Sequence, residues 1–239
     1  PVAVDAALPC RRCEWCERGF YNLCPNVKFC GVPPTDGALR HFMSWPATAC
    51  HPLPPDLTAD DVVLAEVLGI CLHAIDLANM RPAMTAAVLG AGPIGLGVIH
   101  LLRQTSGAQW IYAAEPISAR QTAALQFGAD VVYSPDSKKC VDEILRQTNG
   151  RGVDVVFECA GEDSTSREAV ELAAPGGKVI IIGIPETDAH PFAAASARRK
   201  GLTFRFVRRA NLAYPRVFSL MQQNIIHVQP MITHRFPLE

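Results

Sequence analysis

The chain has 239 residues and sets 22 Lys and Arg against 23 Asp and Glu, a formal net charge of −1, which leaves no basic footprint for nucleic acid or another polyanion. Its apolar runs fall short of the roughly 18 residues that a membrane helix needs, and the opening residues carry no signal-peptide pattern. Nine cysteines, an odd number with four crowded into one segment, suit metal binding in a reducing compartment better than a disulfide framework; a soluble cytoplasmic protein of one large or two small domains is expected.

In chain order, Pro1 stands where an initiator Met would, and residues 1–9 read like the middle of a strand. Residues 232–239 stop where a new element is about to begin, so a chain short at both ends is expected. The first chemistry is Cys10-x2-Cys13-x2-Cys16-x7-Cys24. Four thiols so close together point to a closed tetrahedral structural zinc site. Ferredoxin runs share the first two spacings and end in Cys-Pro, as Cys24-Pro25 does, but place three residues before the last cysteine rather than seven. An iron–sulfur cluster is the weaker reading, and unligated thiols are weaker still.

Pro52, Pro54 and Pro55 mark a connection, and Thr58-Ala59-Asp60-Asp61 then resembles a capping box with Asp in place of Glu. It opens a helix expected from Ala59 to Asn79. On that helix Glu66 interrupts an apolar face between Val63 and Ile70, which is costly unless the acid is paired or metal-bound. The plainer reading is a salt bridge at a domain boundary. His73 lies about 10 Å further along the helix, too far to share an ion with Glu66 comfortably.

Val88-Leu89-Gly90-Ala91-Gly92-Pro93-Ile94-Gly95-Leu96-Gly97 is an apolar strand running into a glycine-rich turn and a helix start. Gly90 permits the turn, Gly92 lets the backbone approach a pyrophosphate, and Gly95 lets the helix pack on the strand; Pro93 and Ile94 open a helix whose N-terminus faces the anion. Glu115 ends the next strand 20 residues past Gly95, where a carboxylate meets ribose hydroxyls and repels a 2′-phosphate. NAD is therefore expected over NADP. Arg120 reads as a surface residue pairing with Glu115 or the adenine edge, or as a cation for a phosphate. An ordinary strand-turn-helix is the bland alternative.

The apolar runs 110–114, 131–133, 153–159, 178–183 and 202–207 alternate with helical stretches near 118–127, 137–148, 164–173 and 192–199. This order predicts an α/β fold with a doubly wound Rossmann parallel sheet. Gly128 and Gly150 read as helix stops, and Pro175-Gly176-Gly177 as a turn before a buried strand. The open-sheet rule puts nicotinamide beyond the carboxyl ends of the strands, which nominates Cys159-Ala160-Gly161 and Gly183-Ile184. Arg198, Arg199, Lys200, Arg205, Arg208 and Arg209 together read as a solvated or subunit-contacting face at least as readily as Arg208 reads as a group that orients a ligand.

Cys10 to Cys24, Phe29-Cys30-Gly31-Val32-Pro33-Pro34-Thr35-Asp36-Gly37 and the Gly90 fingerprint together resemble the zinc-dependent medium-chain dehydrogenases of the alcohol dehydrogenase superfamily, most of all the sorbitol (polyol) branch. Leu64 to Ala74 and Thr233-His234-Arg235-Phe236-Pro237-Leu238 extend the resemblance over almost the whole chain. It implies a partial GroES-like β catalytic domain over residues 1–57 with a zinc lobe at 10–24. A linking helix would occupy 58–80, an NAD-binding Rossmann domain 81–222, and the return to the catalytic domain 223–239.

The resemblance also implies a structural zinc in the lobe and a second, catalytic zinc that Glu66 binds directly or through water. Arg208 would orient substrate, backbone groups near Cys159, Gly183 and Ile184 would hold the carboxamide, and copies of the chain would form a homo-oligomer, a dimer or tetramer. Glu66-Val67 stands where the branch has Glu-Pro, and Arg208-Arg209 where it has Arg-Tyr, which leaves the polyol itself open. The family's other catalytic ligands, a cysteine and a Gly-His-Glu motif, would fall before Pro1, and none of the seven histidines is followed by Glu. The expectation is an NAD-dependent zinc alcohol or polyol dehydrogenase represented by a fragment without a complete catalytic zinc site. A non-catalytic, zinc-stabilised nucleotide-binding module is the alternative.

Overall fold

The computed structural model describes residues 1–134 and 137–238. Regular structure is sparse at first: β1 (Val2–Val4), β2 (Ala7–Leu8), a single helical turn α1 (Glu14–Glu17), β3 (Lys28–Phe29) and β4 (Cys50–Pro52). β1 pairs antiparallel with β4, Val2 opposite Pro52, and β2 pairs antiparallel with β3, Ala7 opposite Phe29.

The capping box forms as read. Asp61 donates its N–H to Thr58 Oγ1 at 3.3 Å, and Thr58 donates its N–H to Asp61 Oδ2 at 2.7 Å. Such a cap contributes about 1 kcal/mol. The single helix expected to reach Asn79 is instead two: α2 (Ala59–Val62) stops, Val63 and Leu64 form a turn, and α3 (Ala65–Ala78) follows. No Gly or Pro marks the break, and the apolar spacing runs through it, so periodicity carried no sign of it. Asn79, at φ +49°, ends α3 in the left-handed conformation that helix stops favour.

The remainder alternates strand and helix: β5 (Thr85–Leu89), α4 (Pro93–Thr105), β6 (Trp110–Ala114), α5 (Ser118–Gln126), β7 (Val131–Tyr133), α6 (Ser137–Gln147), β8 (Val153–Glu158), α7 (Asp163–Leu172), β9 (Ala173–Ile181), α8 (Ala194–Lys200), β10 (Thr203–Phe206) and α9 (Tyr214–Gln222). Six of these strands form one parallel sheet in the order β10-β9-β8-β5-β6-β7. This is the doubly wound sheet expected from the sequence. Ala86, Ala87, Val88 and Leu89 are all 0% exposed, because helices cover both faces and the strand needs no polar alternation. Phe157, Ile144, Leu172 and Ile180 fill the core beside them, each worth about 1.5–3 kcal/mol of burial.

Pro175-Gly176-Gly177 is not a turn preceding its strand. β9 begins at Ala173 and carries the three residues as a bulge, with the register passing from Val153↔Ala173 to Val155↔Lys178. A bulge leaves residues outside the ladder, so the missing N–H of Pro175 costs nothing there.

The chain divides into two compact units, one of Pro1–Ile70 with Arg208–Glu239 and one of Cys71–Val207. Glu239, the end of the expected 223–239 segment, lies outside the described residues. Among the described residues no helix is long and apolar enough to cross a membrane.

Candidate functional site

The carboxyl ends of β5, β6, β8 and β9 lie at one end of the sheet, where the strand order reverses between β5 and β8. Gly90 leaves β5 at φ +91°, a conformation L side chains avoid. A Cβ on Gly95 would sit 1.9 Å from the Gly90 carbonyl oxygen, so only glycine lets α4 lie this close to its strand. A Cβ on Gly92 would meet nothing within 4 Å. Gly92 is the N-cap of α4 with Pro93 in the first turn and no side-chain cap, and first-turn N–H groups such as those of Ile94 and Gly95 are the ones a helix leaves without intrahelical partners and can turn to an anion.

Glu115 is 2% exposed. Its Oε2 accepts from Ala91 N–H at 2.8 Å and its Oε1 from Ile117 N–H at 3.0 Å, tying the end of β6 to the glycine turn. A carboxylate accepts about four bonds, so capacity remains for ribose hydroxyls. Arg120 lies 4.0 Å from Glu115 Oε1 with its side chain about half exposed, close enough to pair with it.

The turns nominated for nicotinamide are brought to the same place. Cys159 N–H donates to the Leu89 carbonyl at 2.9 Å, and a Cβ on Gly90 would touch Ala160 at 3.1 Å. Gly161, at φ +76°, packs against Ile184, whose carbonyl oxygen would be 2.6 Å from an added Cβ. Ile184 itself is 90% exposed. Burial pushes the Cys159 thiol well above its ordinary value, with Cys71 and Glu158 adding to the effect.

The four lobe thiols converge. Their Sγ atoms all lie within 4.8 Å of one another, and Cys13 Sγ is 3.9 Å from Cys24 Sγ. A tetrahedron of Zn–S bonds near 2.3 Å has an edge of about 3.8 Å, so the donor set fits zinc. The N–H of Arg12 holds the Cys10 thiol down at about 6, whereas burial and the neighbouring thiols push Cys16 up to about 12. Without a cation, four adjacent thiols resist joint ionisation.

Sequence reasoning missed how the lobe is tied down. Asn22, 5% exposed, donates Nδ2–H to the Arg208 carbonyl at 3.0 Å, and Asn211 donates to the Gly19 carbonyl at 3.1 Å. Arg209 lies over the Phe29 ring at 5.0 Å, while Arg208 is exposed. Lys200 is no solvated charge: its Nζ donates to the carbonyls of Val170, Glu171 and Ala173 at 2.7–2.9 Å, closing the end of α7.

Glu66 is half-buried and lines a cleft with Val4, Leu53, Val62 and Tyr214. Burial, and secondarily Asp5, push its carboxyl up. Among the described residues the only group of three or more metal-type donors is the lobe cysteines. Described donors around Glu66 do not complete a zinc site.

The Zinc-binding dehydrogenase family profile matches residues 93–223, and the Alcohol dehydrogenase GroES-like domain profile matches residues 1–55. The chain therefore belongs to the zinc-dependent medium-chain dehydrogenases. Within them it falls in the sorbitol branch: it is 31% identical to the sorbitol dehydrogenase of Homo sapiens over 245 residues, covering 100% of this chain and 67% of that protein. Two similar solved structures hold nucleotide. The short chain alcohol dehydrogenase of Escherichia coli complexed with cofactor NADH is 25% identical with a TM-score of 0.92, covering 99% of this chain and 69% of the other. A zinc-binding dehydrogenase from Sinorhizobium meliloti bound to NADP is 27% identical with a TM-score of 0.89, covering 96% and 67%. The chain spans about two thirds of the length of the curated relatives it matches.

Proposed function

We propose that the protein acts as an NAD-dependent alcohol or polyol dehydrogenase, passing hydride between a secondary alcohol and nicotinamide. The observation that carries this reading is the joining of the Gly90 to Gly95 turn, Glu115 and the exit turns of β8 and β9 at one end of one sheet. Bound NAD would supply the hydride acceptor. The chain's own residues bind and orient it: Gly92, Pro93, Ile94 and Gly95 present backbone to the pyrophosphate, Glu115 accepts from ribose, and Cys159, Gly183 and Ile184 offer main-chain groups to the carboxamide. Cys10, Cys13, Cys16 and Cys24 would hold a structural zinc. Glu66 is proposed as one ligand of the catalytic zinc, a role supported by its carboxyl in a cleft beside a second acid, Asp5, a setting that favours a cation. Arg208, exposed beside the lobe, is proposed to orient a hydroxylated substrate.

Pairing of copies is proposed through β10, an edge of the sheet that leaves Phe206 64% exposed. A cytoplasmic location is the reading that nine free cysteines support.

Two results test these assignments. In a fluorescence titration NADH binds more tightly than NADPH, and Glu115→Ala narrows the gap, because the variant loses the charge that repels a 2′-phosphate. Tighter NADPH binding by the unmodified chain sinks the preference. Elemental analysis of the 239-residue polypeptide gives one zinc per chain, with little alcohol oxidation in the same preparation, since the lobe is the one complete donor set among the described residues. Two zincs with steady turnover on sorbitol, xylitol, threonine or ethanol would show that residues of this polypeptide complete a second site around Glu66, and that the lobe is not the one complete donor set.

A further inference from the structure

We propose that Glu158 is the positioning residue that sets both turns at the nicotinamide end of the site, an inference that rests on the dinucleotide reading above. Glu158 closes β8 and is 0% exposed. Its Oε1 accepts from Ala160 N–H at 2.9 Å, Gly161 N–H at 2.8 Å and Thr165 Oγ1–H at 2.8 Å. Its own carbonyl accepts from Ile182 N–H at 2.9 Å and Gly183 N–H at 3.0 Å. One residue therefore holds the exit turn of β8 through its side chain and the exit turn of β9 through its backbone. The packing leaves no slack. A Cβ on Gly183 would lie 2.2 Å from Gly161 N and 2.6 Å from Glu158 Oε2.

The choice of an acid here needs a reason. A carboxylate withdrawn from water is costly, and Oε2 has no hydrogen-bond partner among the described residues. A shorter neutral acceptor such as Asn or Ser serves ordinary turn closure at lower cost. What the longer charged group adds is three donors drawn onto a single oxygen, a strong charge-assisted arrangement. Fixing Ala160 and Gly161 inward determines which way the main-chain groups of Cys159 and Gly183 face. Those are the groups proposed to meet the carboxamide. The carboxylate is fully buried and acts through the two turns.

The test uses the full chain and two ligands that share the adenosine end, NADH and ADP-ribose, with thermal unfolding alongside. The unmodified chain binds both, NADH more tightly. In Glu158→Gln the side chain keeps its length, but the amide is a weaker acceptor and one of its ends becomes a donor. NADH binding then weakens about tenfold or more, the loss of one charge-assisted hydrogen bond, and the fluorescence of bound NADH shifts toward that of free NADH. ADP-ribose binding stays within about twofold. Thr165→Val removes one donor and leaves the acid in place; it moves NADH affinity in the same direction and carries the test if Glu158→Gln does not fold. Equal weakening of both ligands, or unchanged NADH binding, overturns the role of Glu158. An unmodified chain that binds ADP-ribose but gains nothing from the nicotinamide half overturns it too, with the nucleotide reading intact. Failure of that chain to bind ADP-ribose overturns the nucleotide reading and this inference with it.

Discussion

Gly95→Ala is expected to abolish NADH binding and to lower stability by about 3 kcal/mol or more, because the new methyl has no route of escape. Its position is 1.9 Å from the Gly90 carbonyl oxygen and 2.9 Å from that carbonyl carbon, both backbone atoms fixed by the end of β5. α4 must move off the sheet, taking its N-terminus with it. Gly92→Ala is the informative partner. Its methyl meets no protein atom within 4 Å and points into the space a pyrophosphate would use, so stability holds within about 0.5 kcal/mol while NADH binding falls at least tenfold. Thermal unfolding and NADH titration of both variants separate the two glycines. A Gly92→Ala protein that binds NADH like the unmodified chain would remove the phosphate assignment.

The second large effect concerns the lobe. Within residues 10–24 only Cys16, Asn22 and Cys24 are buried, and regular structure amounts to α1 and one 3-10 turn, Tyr21–Leu23. That is too little apolar contact to order the segment, so metal ligation has to supply the difference; structural zinc sites contribute about 10 kcal/mol or more of apparent binding energy near neutral pH. Cys13→Ser is expected to lose the metal, strip hydrogen-exchange protection from residues 10–24, and lower the unfolding temperature. A strong chelator does the same to the unmodified chain. Because the ligands bind as thiolates, metal affinity falls as the pH drops and protons compete for sulfur. Iron with sulfide in elemental analysis, or a Cys13→Ser protein that keeps its zinc, would sink the assignment.

Much of this was readable in the chain because the deciding interactions are local. The four cysteines span 15 residues, the capping box four, and the glycine fingerprint six; each motif carries its geometry within itself. Strand and helix alternation was equally clear, since buried parallel strands such as β5 and β8 read as unbroken apolar runs. What was not readable depends on distant partners. The break at Val63 and Leu64 has no breaker residue. The bulge in β9 looked like a turn because Pro175-Gly176-Gly177 has turn chemistry, and only pairing with β8 shows that the ladder continues around it. Glu158 lies between Phe157 and Cys159 in an otherwise apolar run. An acid closing a run of valines was the available signal, and its partners Thr165 and Gly183 lie seven and 25 residues away.

The division of the chain bears on the order in which it can be made. Cys71–Val207 is one uninterrupted stretch, whereas the other unit joins Pro1–Ile70 to Arg208–Glu239. Asn22 finds its carbonyl partner on Arg208 across 186 residues, and Tyr214 Oη–H reaches the Val4 carbonyl across 210. A ribosome adding roughly 5–20 residues per second therefore leaves the first 70 residues waiting on the order of ten seconds for the segment that completes their unit, while the stretch between them can close as soon as it emerges. During that interval the lobe cysteines have no clamp from Asn211, but their four sulfurs need nothing downstream. Early metal capture would close the lobe on the nascent chain and shield its thiols from oxidation until Arg208 and Asn211 arrive to fasten it.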